Sequence, residues 1–271
     1  MVREGYGKIA SRKAENPALT AGCCGTSTSV TDNISKQIGY SDEDIGQVPE
    51  GANLGLGCGN PIALASLKEG EVVLDLGSGA GFDCFLAASR VGLEGKVIGV
   101  DMTSEMLDKA RENARKGNYH NIEFRLGEIE NLPVADNSVD VVISNCVINL
   151  SLDKKRVFQE AYRVTKLGGR LMVSDIVLLK ELPEYIKGSV AAYIGCLSGA
   201  IEKDEYLSAI RAVGFTNVKV IEENTFPLDC AISDPTEQAV MGELKITPRQ
   251  VEEISASICS IKVSALKDIH A

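Results

Sequence analysis

Residues 72–83 read VVLDLGSGAGFD, an apolar run followed by a cluster of glycines. Four of its first five residues are apolar, which is typical of a buried strand, and a glycine-rich turn follows at once. Glycines let the backbone turn sharply and approach a ligand closely, while the helix start beyond them offers free amide donors. The stretch is therefore predicted to be a strand, a ligand-binding loop and the first turn of a helix.

Apolar runs and helical patterns alternate along the central part of the chain. Predicted strands lie at 71–76, 96–101, 122–127, 139–145 and 169–178. Predicted helices, in which apolar residues recur about every 3.6 positions, lie at 84–92, 104–117 and 154–166. Because strands separated by helices form βαβ units, the pattern predicts an α/β fold with a parallel sheet covered by helices on both faces.

The two ends of the chain differ from this central pattern. Beyond it the sequence predicts a helix at 203–215, a strand at 216–223 and an amphipathic helix at 248–267 that Thr247 caps. Residues 1–57 have few long apolar runs and many small or polar residues. The predicted division is an N-terminal arm or lid at 1–57, a main domain at 58–225 and a C-terminal extension at 226–271.

Composition excludes several classes of function. The 271 residues carry a net charge of −10, and an acidic surface repels phosphate backbones, so we expect no nucleic acid partner. No apolar run is long enough for a membrane span, and the N-terminus lacks a signal-peptide pattern, so we expect no membrane association and a cytoplasmic location. The eight cysteines would then stay reduced and serve as ligands, catalytic thiols or small core residues.

The glycine loop has the spacing G-x-G-x-G, with Gly77, Ser78, Gly79 and Gly81 as its key positions. A dinucleotide fingerprint is one residue longer, with room for a pyrophosphate. The shorter spacing, with Asp75 near the strand end, favours a ligand that lacks phosphates but has an amino-acid head. A nicotinamide-linked oxidoreductase is therefore disfavoured.

Acidic residues follow the next two predicted strands. Asp101 ends the second strand, where its carboxylate can accept hydrogen bonds from both hydroxyls of a ribose. Glu128 and Ile129 follow the third strand and are placed to line a purine. The glycine loop, Asp101 and Glu128 together predict a ligand that contains a nucleoside.

These residues resemble the class I S-adenosylmethionine-dependent methyltransferases over roughly 65–225. The matching motifs are Asp75–Asp83, the pair Asp101-Met102 and the pair Glu128-Ile129. The resemblance implies a Rossmann-like, seven-stranded, mostly parallel sheet, with S-adenosylmethionine at the C-terminal ends of the strands. It leaves the methyl acceptor open, because the fold hosts many acceptors.

Three cysteines lie in separate segments that could meet at the active-site mouth. These are Cys58 in GLGCGNP, Cys146 in ISNCVINL and Cys196 in YIGCLSGA, and the doublet Cys23-Cys24 lies in the N-terminal arm. Cysteine is most often a small buried hydrophobe, which is the reading we give Cys84 and Cys259. Soft thiolates otherwise select thiophilic centres, and three could hold a trigonal centre such as trivalent arsenic, whose lone pair can attack a sulfonium methyl.

The cysteine motifs, together with DLGSGAGFD and QEAYRVTKLGGRL, resemble the arsenite S-adenosylmethionine methyltransferases over about 20–225. The resemblance implies that Cys58, Cys146 and Cys196 bind the metalloid of arsenite or methylarsenite. It also implies that Cys23 or Cys24 acts in redox steps, and that the activity serves arsenic detoxification. Asn145 would contact the methionine part of the cofactor or cap the following turn.

The chemistry of this transfer predicts an external reductant. Methyl transfer formally oxidises arsenic from the trivalent to the pentavalent state, and two thiols can return the electrons by forming a disulfide. Thioredoxin or glutathione would then reopen that disulfide by exchange. We expect a monomer.

Two other readings of the sequence stay open. In the first, the chain methylates a small organic acceptor, such as a quinone or a sterol precursor, and its cysteines are incidental. In the second, it is a metalloid-binding protein without enzymatic activity on a methyltransferase scaffold. The intact cofactor motif argues against the second reading, because a protein that only binds metalloid has no use for a cofactor pocket.

Overall fold

The computed structural model describes residues 2–11, 30–61, 66–182, 199–225 and 247–269. The strands of its sheet are β1 (Val72–Leu76), β2 (Lys96–Asp101), β3 (Ile122–Leu126), β4 (Val139–Asn145), β5 (Thr165–Leu178), β6 (Thr216–Thr225) and β7 (Ile258–Leu266). Its helices are α1 (Val2–Ser11), α2 (Val30–Gln37), α3 (Asp42–Gln47), α4 (Phe82–Val91), α5 (Ser104–Lys116), α6 (Lys154–Val164), α7 (Lys203–Ala212) and α8 (Pro248–Ser255).

The seven strands form one sheet in the order β3-β2-β1-β4-β5-β7-β6. The first five strands in this order are parallel, whereas β7 runs antiparallel to both β5 and β6. The strand order reverses between β1 and β4, and in open α/β sheets ligands bind outside the carboxyl ends of the strands at such a point. The predicted Rossmann-like, seven-stranded, mostly parallel sheet is confirmed.

The central strands are apolar on both faces because helices cover both faces of the sheet there. Along β1, Val73 belongs to the buried cluster that contains Phe85 of α4, and Leu74 belongs to the opposite cluster with Phe158 of α6 and Tyr206 of α7. Successive side chains of a strand point to opposite faces, which explains this alternation. The predicted strands and helices through residue 225 are confirmed, apart from small shifts of their ends.

The predicted helix at 248–267 is wrong beyond its first turns. Thr247 does cap α8, since its side chain accepts a hydrogen bond from the Gln250 amide, but this helix ends at Ser255 and β7 follows. Strand β7 (ICSIKVSAL) is rich in β-branched residues and buried along most of its length, because it lies between β5 and β6. The sheet of the main domain therefore continues past the predicted boundary at residue 225.

The N-terminal residues pack against the main domain at the edge where the parallel strands end. Helix α1 contacts α5, and Arg3 pairs with Glu128 beyond β3. Tyr40, between α2 and α3, is buried and contacts the ring of Phe82 edge-on, with 4.8 Å between the ring centres. None of the described helices is both long and apolar enough to span a bilayer.

Strand β7 gives a direct test of this sheet. Ile261 is fully buried in its middle, so Ile261→Ala should lower the free energy of unfolding by about 2–5 kcal/mol, the usual cost of truncating a buried isoleucine. Urea denaturation measures this change. Leu152 is 93% exposed, and Leu152→Ala should change the same free energy by less than about 0.5 kcal/mol. Equal effects of the two substitutions would contradict the position of β7.

Candidate active site

The glycine loop joins β1 to α4 and is fastened to β2. The amides of Gly77 and Ser78 donate to the Val100 carbonyl oxygen at 2.8 and 3.0 Å. Gly79 has a positive φ of 52°, and a Cβ atom placed on it would meet no other atom within 4 Å. The loop therefore leaves open space over its centre, as a ligand-binding loop requires.

Asp101 closes the loop from the end of β2. One carboxylate oxygen accepts the Gly79 amide at 2.9 Å, and the other accepts the Thr103 amide at 2.8 Å. Burial raises the pKa of Asp101, although these two hydrogen bonds oppose the shift. Each carboxylate oxygen has two lone pairs, so the group can still accept hydrogen bonds from a diol.

A cavity opens beside this loop at the carboxyl ends of the strands. It is lined by most of the predicted cofactor residues, namely Asp75, Gly77, Ser78, Gly79, Asp101, Met102, Glu128, Ile129 and Asn145. Gly81, the remaining predicted residue, does not line it and instead stands at the N-terminus of α4. The N-terminal segment adds wall residues that the sequence did not indicate, including Tyr6, Tyr40, Leu54 and Gly57.

Two buried acids make this cavity suited to a ligand with positive charge. Burial raises the pKa of Asp75 well above its usual range, and the nearby Asp83 carboxylate adds to the shift. Burial also raises the pKa of Asp83 to about 6. A cation placed beside these groups would restore their ionised form. Cys84 is fully buried and donates its thiol to Asp75 at 3.2 Å, in line with its predicted place in the core.

The side chain of Asn145 connects three parts of the molecule. Its Oδ1 accepts the amide of Cys58 at 3.0 Å, and its Nδ2 donates to the Gly59 carbonyl oxygen at 2.7 Å. The same Nδ2 lies 3.0 Å from the Tyr40 hydroxyl and 3.3 Å from a carboxylate oxygen of Asp83. Tyr40 in turn donates to the other oxygen of Asp83 at 2.7 Å.

Further contacts fix the backbone around Cys58. Gly57 has a φ of 124°, and a Cβ atom placed on it would lie 2.8 Å from Asn145 Nδ2, so only glycine allows this close approach. The hydroxyl of Ser260, on β7, donates to the Cys58 carbonyl oxygen at 2.7 Å. The Cys58 segment is thus held by side chains from β4 and β7.

Cys58 and Cys146 lie together beside the cavity. Their sulfur atoms and a carboxylate oxygen of Asp175 are all within 4.8 Å of one another. Cys146 has a left-handed backbone with a φ of 58°, which is uncommon for residues other than glycine, and its amide donates to the Ser174 carbonyl oxygen. Cys58 is buried, whereas Cys146 is half-buried and lines the cavity. Neither forms a disulfide.

The sequence did not indicate the third member of this cluster, Asp175. It is 1% exposed, and its Oδ1 accepts the Ile176 amide at 2.9 Å and the Asn149 side chain at 2.8 Å. Its Oδ2 accepts the Tyr206 hydroxyl at 3.1 Å. Burial raises the pKa of Asp175 to about 7. The sequence offered one signal for this residue, namely a single acid within the otherwise mostly apolar run LMVSDIVL.

Three of the predicted thiols fall outside the described residues. These are Cys196, Cys23 and Cys24. The predicted meeting of separate cysteine segments is therefore observed for the Cys58 and Cys146 segments, and the role of Cys196 stays a prediction. Cys259 is buried on β7, so its predicted place in the core is confirmed, although not in a helix.

This chain is similar to known methyltransferases along most of its length. A family model described as a methyltransferase domain matches residues 67–214. Arsenite methyltransferase of Halobacterium salinarum is 48% identical over 227 residues, which cover 81% of this chain and 58% of that protein. Human arsenite methyltransferase is 35% identical over 231 residues, with the same two coverages. The chain therefore spans well under two thirds of the length of these two relatives.

A solved structure extends the similarity to the fold. The crystal structure of an arsenic(III) S-adenosylmethionine methyltransferase from Chlamydomonas reinhardtii shares 32% sequence identity with this chain, at a TM-score of 0.64. The match covers 90% of this chain and 75% of the other.

The Asn145 contacts predict a local loss of structure when the amide is removed. Asn145→Ala leaves the buried Cys58 amide and Gly59 carbonyl without their partner, and an unsatisfied buried group costs about 1–3 kcal/mol. We expect faster alkylation of Cys58, measured by peptide mass spectrometry, while alkylation of Cys259 is unchanged. Asn224→Ala, at an exposed position on β6, is the matched control. An unchanged Cys58 rate in Asn145→Ala would show that other contacts hold this segment.

Proposed function

The chain belongs to the family of arsenic(III) S-adenosylmethionine methyltransferases, and on that premise we propose that it transfers a methyl group from S-adenosylmethionine to trivalent arsenic held by Cys58 and Cys146. One observation carries the proposal: this thiol pair adjoins a cavity whose walls are the glycine loop, Asp101 and the buried acids. Arsenite is the proposed first substrate and methylarsenite a further one.

The cavity fits the proposed methyl donor by its chemistry. S-adenosylmethionine supplies, when bound, a methyl group on a positively charged sulfonium. We assign Asp101 to the ribose hydroxyls and Glu128 with Ile129 to the adenine. The buried carboxylates of Asp75 and Asp83 suit the positively charged part of the molecule, and the open space at Gly79 admits it. Asn145 would contact this end of the cavity while it holds the Cys58 segment.

The two thiols are suited to binding the acceptor. Thiolates are soft ligands and select thiophilic centres. When a cysteine displaces a hydroxyl of arsenite, the thiol proton leaves with that hydroxyl as water and an arsenic–sulfur bond forms. Cys196 is the proposed third ligand of the trigonal centre. Trivalent arsenic keeps a lone pair, so its attack on a methyl group requires no general base.

The rest of the rate acceleration would come from holding the acceptor and the methyl donor next to each other. Cys146 lines the cavity and also belongs to the thiol cluster. An acceptor bound to it is therefore held next to a ligand in the cavity, and holding two reactants in attack geometry replaces an encounter in solution. The left-handed backbone of Cys146 fixes this position at the end of β4.

We further propose a redox cycle for the thiols. Methyl transfer leaves arsenic formally pentavalent, and two cysteine thiols return it to the trivalent state by giving up two electrons and forming a disulfide. Cys23 or Cys24 would take part with a thiol of the cluster. Thioredoxin or glutathione would then reduce the disulfide by exchange. This cycle suits a reducing cytoplasm, where a monomer of this kind would serve arsenic detoxification.

The activity can be tested on the purified, reduced chain. With S-adenosylmethionine, arsenite and a thioredoxin system, chromatography should detect methylated arsenic. Cys146→Ser should lower the initial rate by at least about 100-fold, a loss comparable to that of other single groups that position or stabilise a reacting centre. Cys259→Ser, also a buried cysteine but on β7, should keep the rate within about twofold of the unaltered chain.

Other outcomes separate the competing functions. Cofactor binding without methylated arsenic would contradict the proposed acceptor and favour a small organic one. Arsenite binding without any detectable cofactor binding would favour a protein that only binds metalloid.

A further inference from the structure

We propose that Asp175 is a further catalytic residue, whose carboxylate stabilises the positive charge that develops on arsenic during methyl transfer. This inference rests on the proposed function and adds a residue that the thiol motifs do not include. It follows from where the charge moves during the reaction and from where Asp175 stands.

The charge moves toward the thiol cluster. Arsenic bound by thiolates, or by thiolates and one hydroxide, is neutral before the reaction. Its lone pair forms the new arsenic–carbon bond, the carbon–sulfur bond of the donor breaks, and the electron pair of that bond stays on the donor sulfur. The donor sulfur becomes neutral, and arsenic is oxidised from the trivalent to the pentavalent state and carries the positive charge.

Asp175 stands where this charge would appear. One of its carboxylate oxygens is within 4.8 Å of both the Cys58 and the Cys146 sulfur. An atom bonded to both sulfurs would therefore lie close to the carboxylate. Among the described residues, Asp175 is the acid that completes this cluster, whereas Asp75, Asp83 and Asp101 line the cofactor cavity. Negative charge beside arsenic stabilises the charged transition state more than the neutral bound substrate, which is the condition for catalysis.

The carboxylate is held in place before the reaction begins. The amide of Ile176, the side-chain amide of Asn149 and the hydroxyl of Tyr206 all donate to it, and it is 1% exposed. A group fixed in a buried site needs no rearrangement as charge develops, and water does not screen it.

Asp175→Asn separates this role from a structural one, because it removes the charge and keeps the shape. We expect single-turnover methylation of arsenite to slow by about 10²–10³-fold, as when one stabilising group is removed from other active sites. Arsenite affinity of the reduced protein, measured by calorimetry without cofactor, should stay within about threefold, since the bound arsenic is neutral. A single-turnover rate within about threefold of the unaltered chain would overturn the proposal.

Two further variants keep the test decisive. Asp175→Glu keeps the negative charge but moves it, so methyl transfer should be faster in this variant than in Asp175→Asn. Equal rates in the two variants would show that the charge is not what matters. The comparison holds even if both variants are less stable than the unaltered chain. Tyr206→Phe removes one hydrogen bond to the carboxylate and should slow the transfer less than Asp175→Asn. An unaltered chain that binds arsenite but forms no methylarsenic would reject the proposed function itself, whereas methylation in Asp175→Asn within about threefold of the unaltered rate would reject this inference alone.

Discussion

The side-chain amide of Asn145 joins parts of the chain that are far apart in sequence. Its partner Cys58 is 87 positions away, and Tyr40 is 105 positions away. Without this amide, the backbone of the Cys58 segment would lose its hydrogen bonds to β4, and the Tyr40 hydroxyl would lose one of its two side-chain hydrogen-bond partners. Asn145 therefore supports three features of the site at once. It holds the backbone of Cys58, it bonds Tyr40 of the N-terminal segment in the cavity wall, and it contacts the carboxylate of Asp83.

The sheet explains why these groups meet. Asp75 lies on β1, Asp101 ends β2, Asn145 ends β4 and Asp175 lies on β5, so the parallel strands bring all four to one edge. Charge is then divided between two neighbouring compartments. Buried acids face a cavity suited to a cationic ligand, and a separate acid stands with the thiols. This division fits a reaction in which positive charge leaves one compartment and appears in the other.

The sequence predicted the parts of the site that depend on local chemistry. The glycine loop and Asp101 could be placed at the cavity because closely spaced glycines indicate a tight backbone turn and Asp101 ends a strand of the parallel sheet. Strand β7 could not be identified from the sequence, because a short apolar run fits either a helix or a strand. The pairing of β7 with β5 is a long-range contact that the local sequence does not reveal. Asp175 was missed because two of its three donors, Asn149 and Tyr206, are distant in sequence. Its neighbours in sequence are those of an ordinary buried strand. Tyr40 was missed because its partners, Asp83 and Asn145, are distant in sequence.

We infer that Cys58 and Cys146 hold arsenic beside the cofactor cavity. X-ray absorption at the arsenic edge, on the reduced protein with arsenite, tests this placement of arsenic. We expect arsenic bound to sulfur, with one sulfur neighbour fewer in Cys58→Ser and the same number in Cys259→Ser. Arsenic surrounded only by oxygen, or an unchanged number of sulfur neighbours in Cys58→Ser, would show that Cys58 does not bind it.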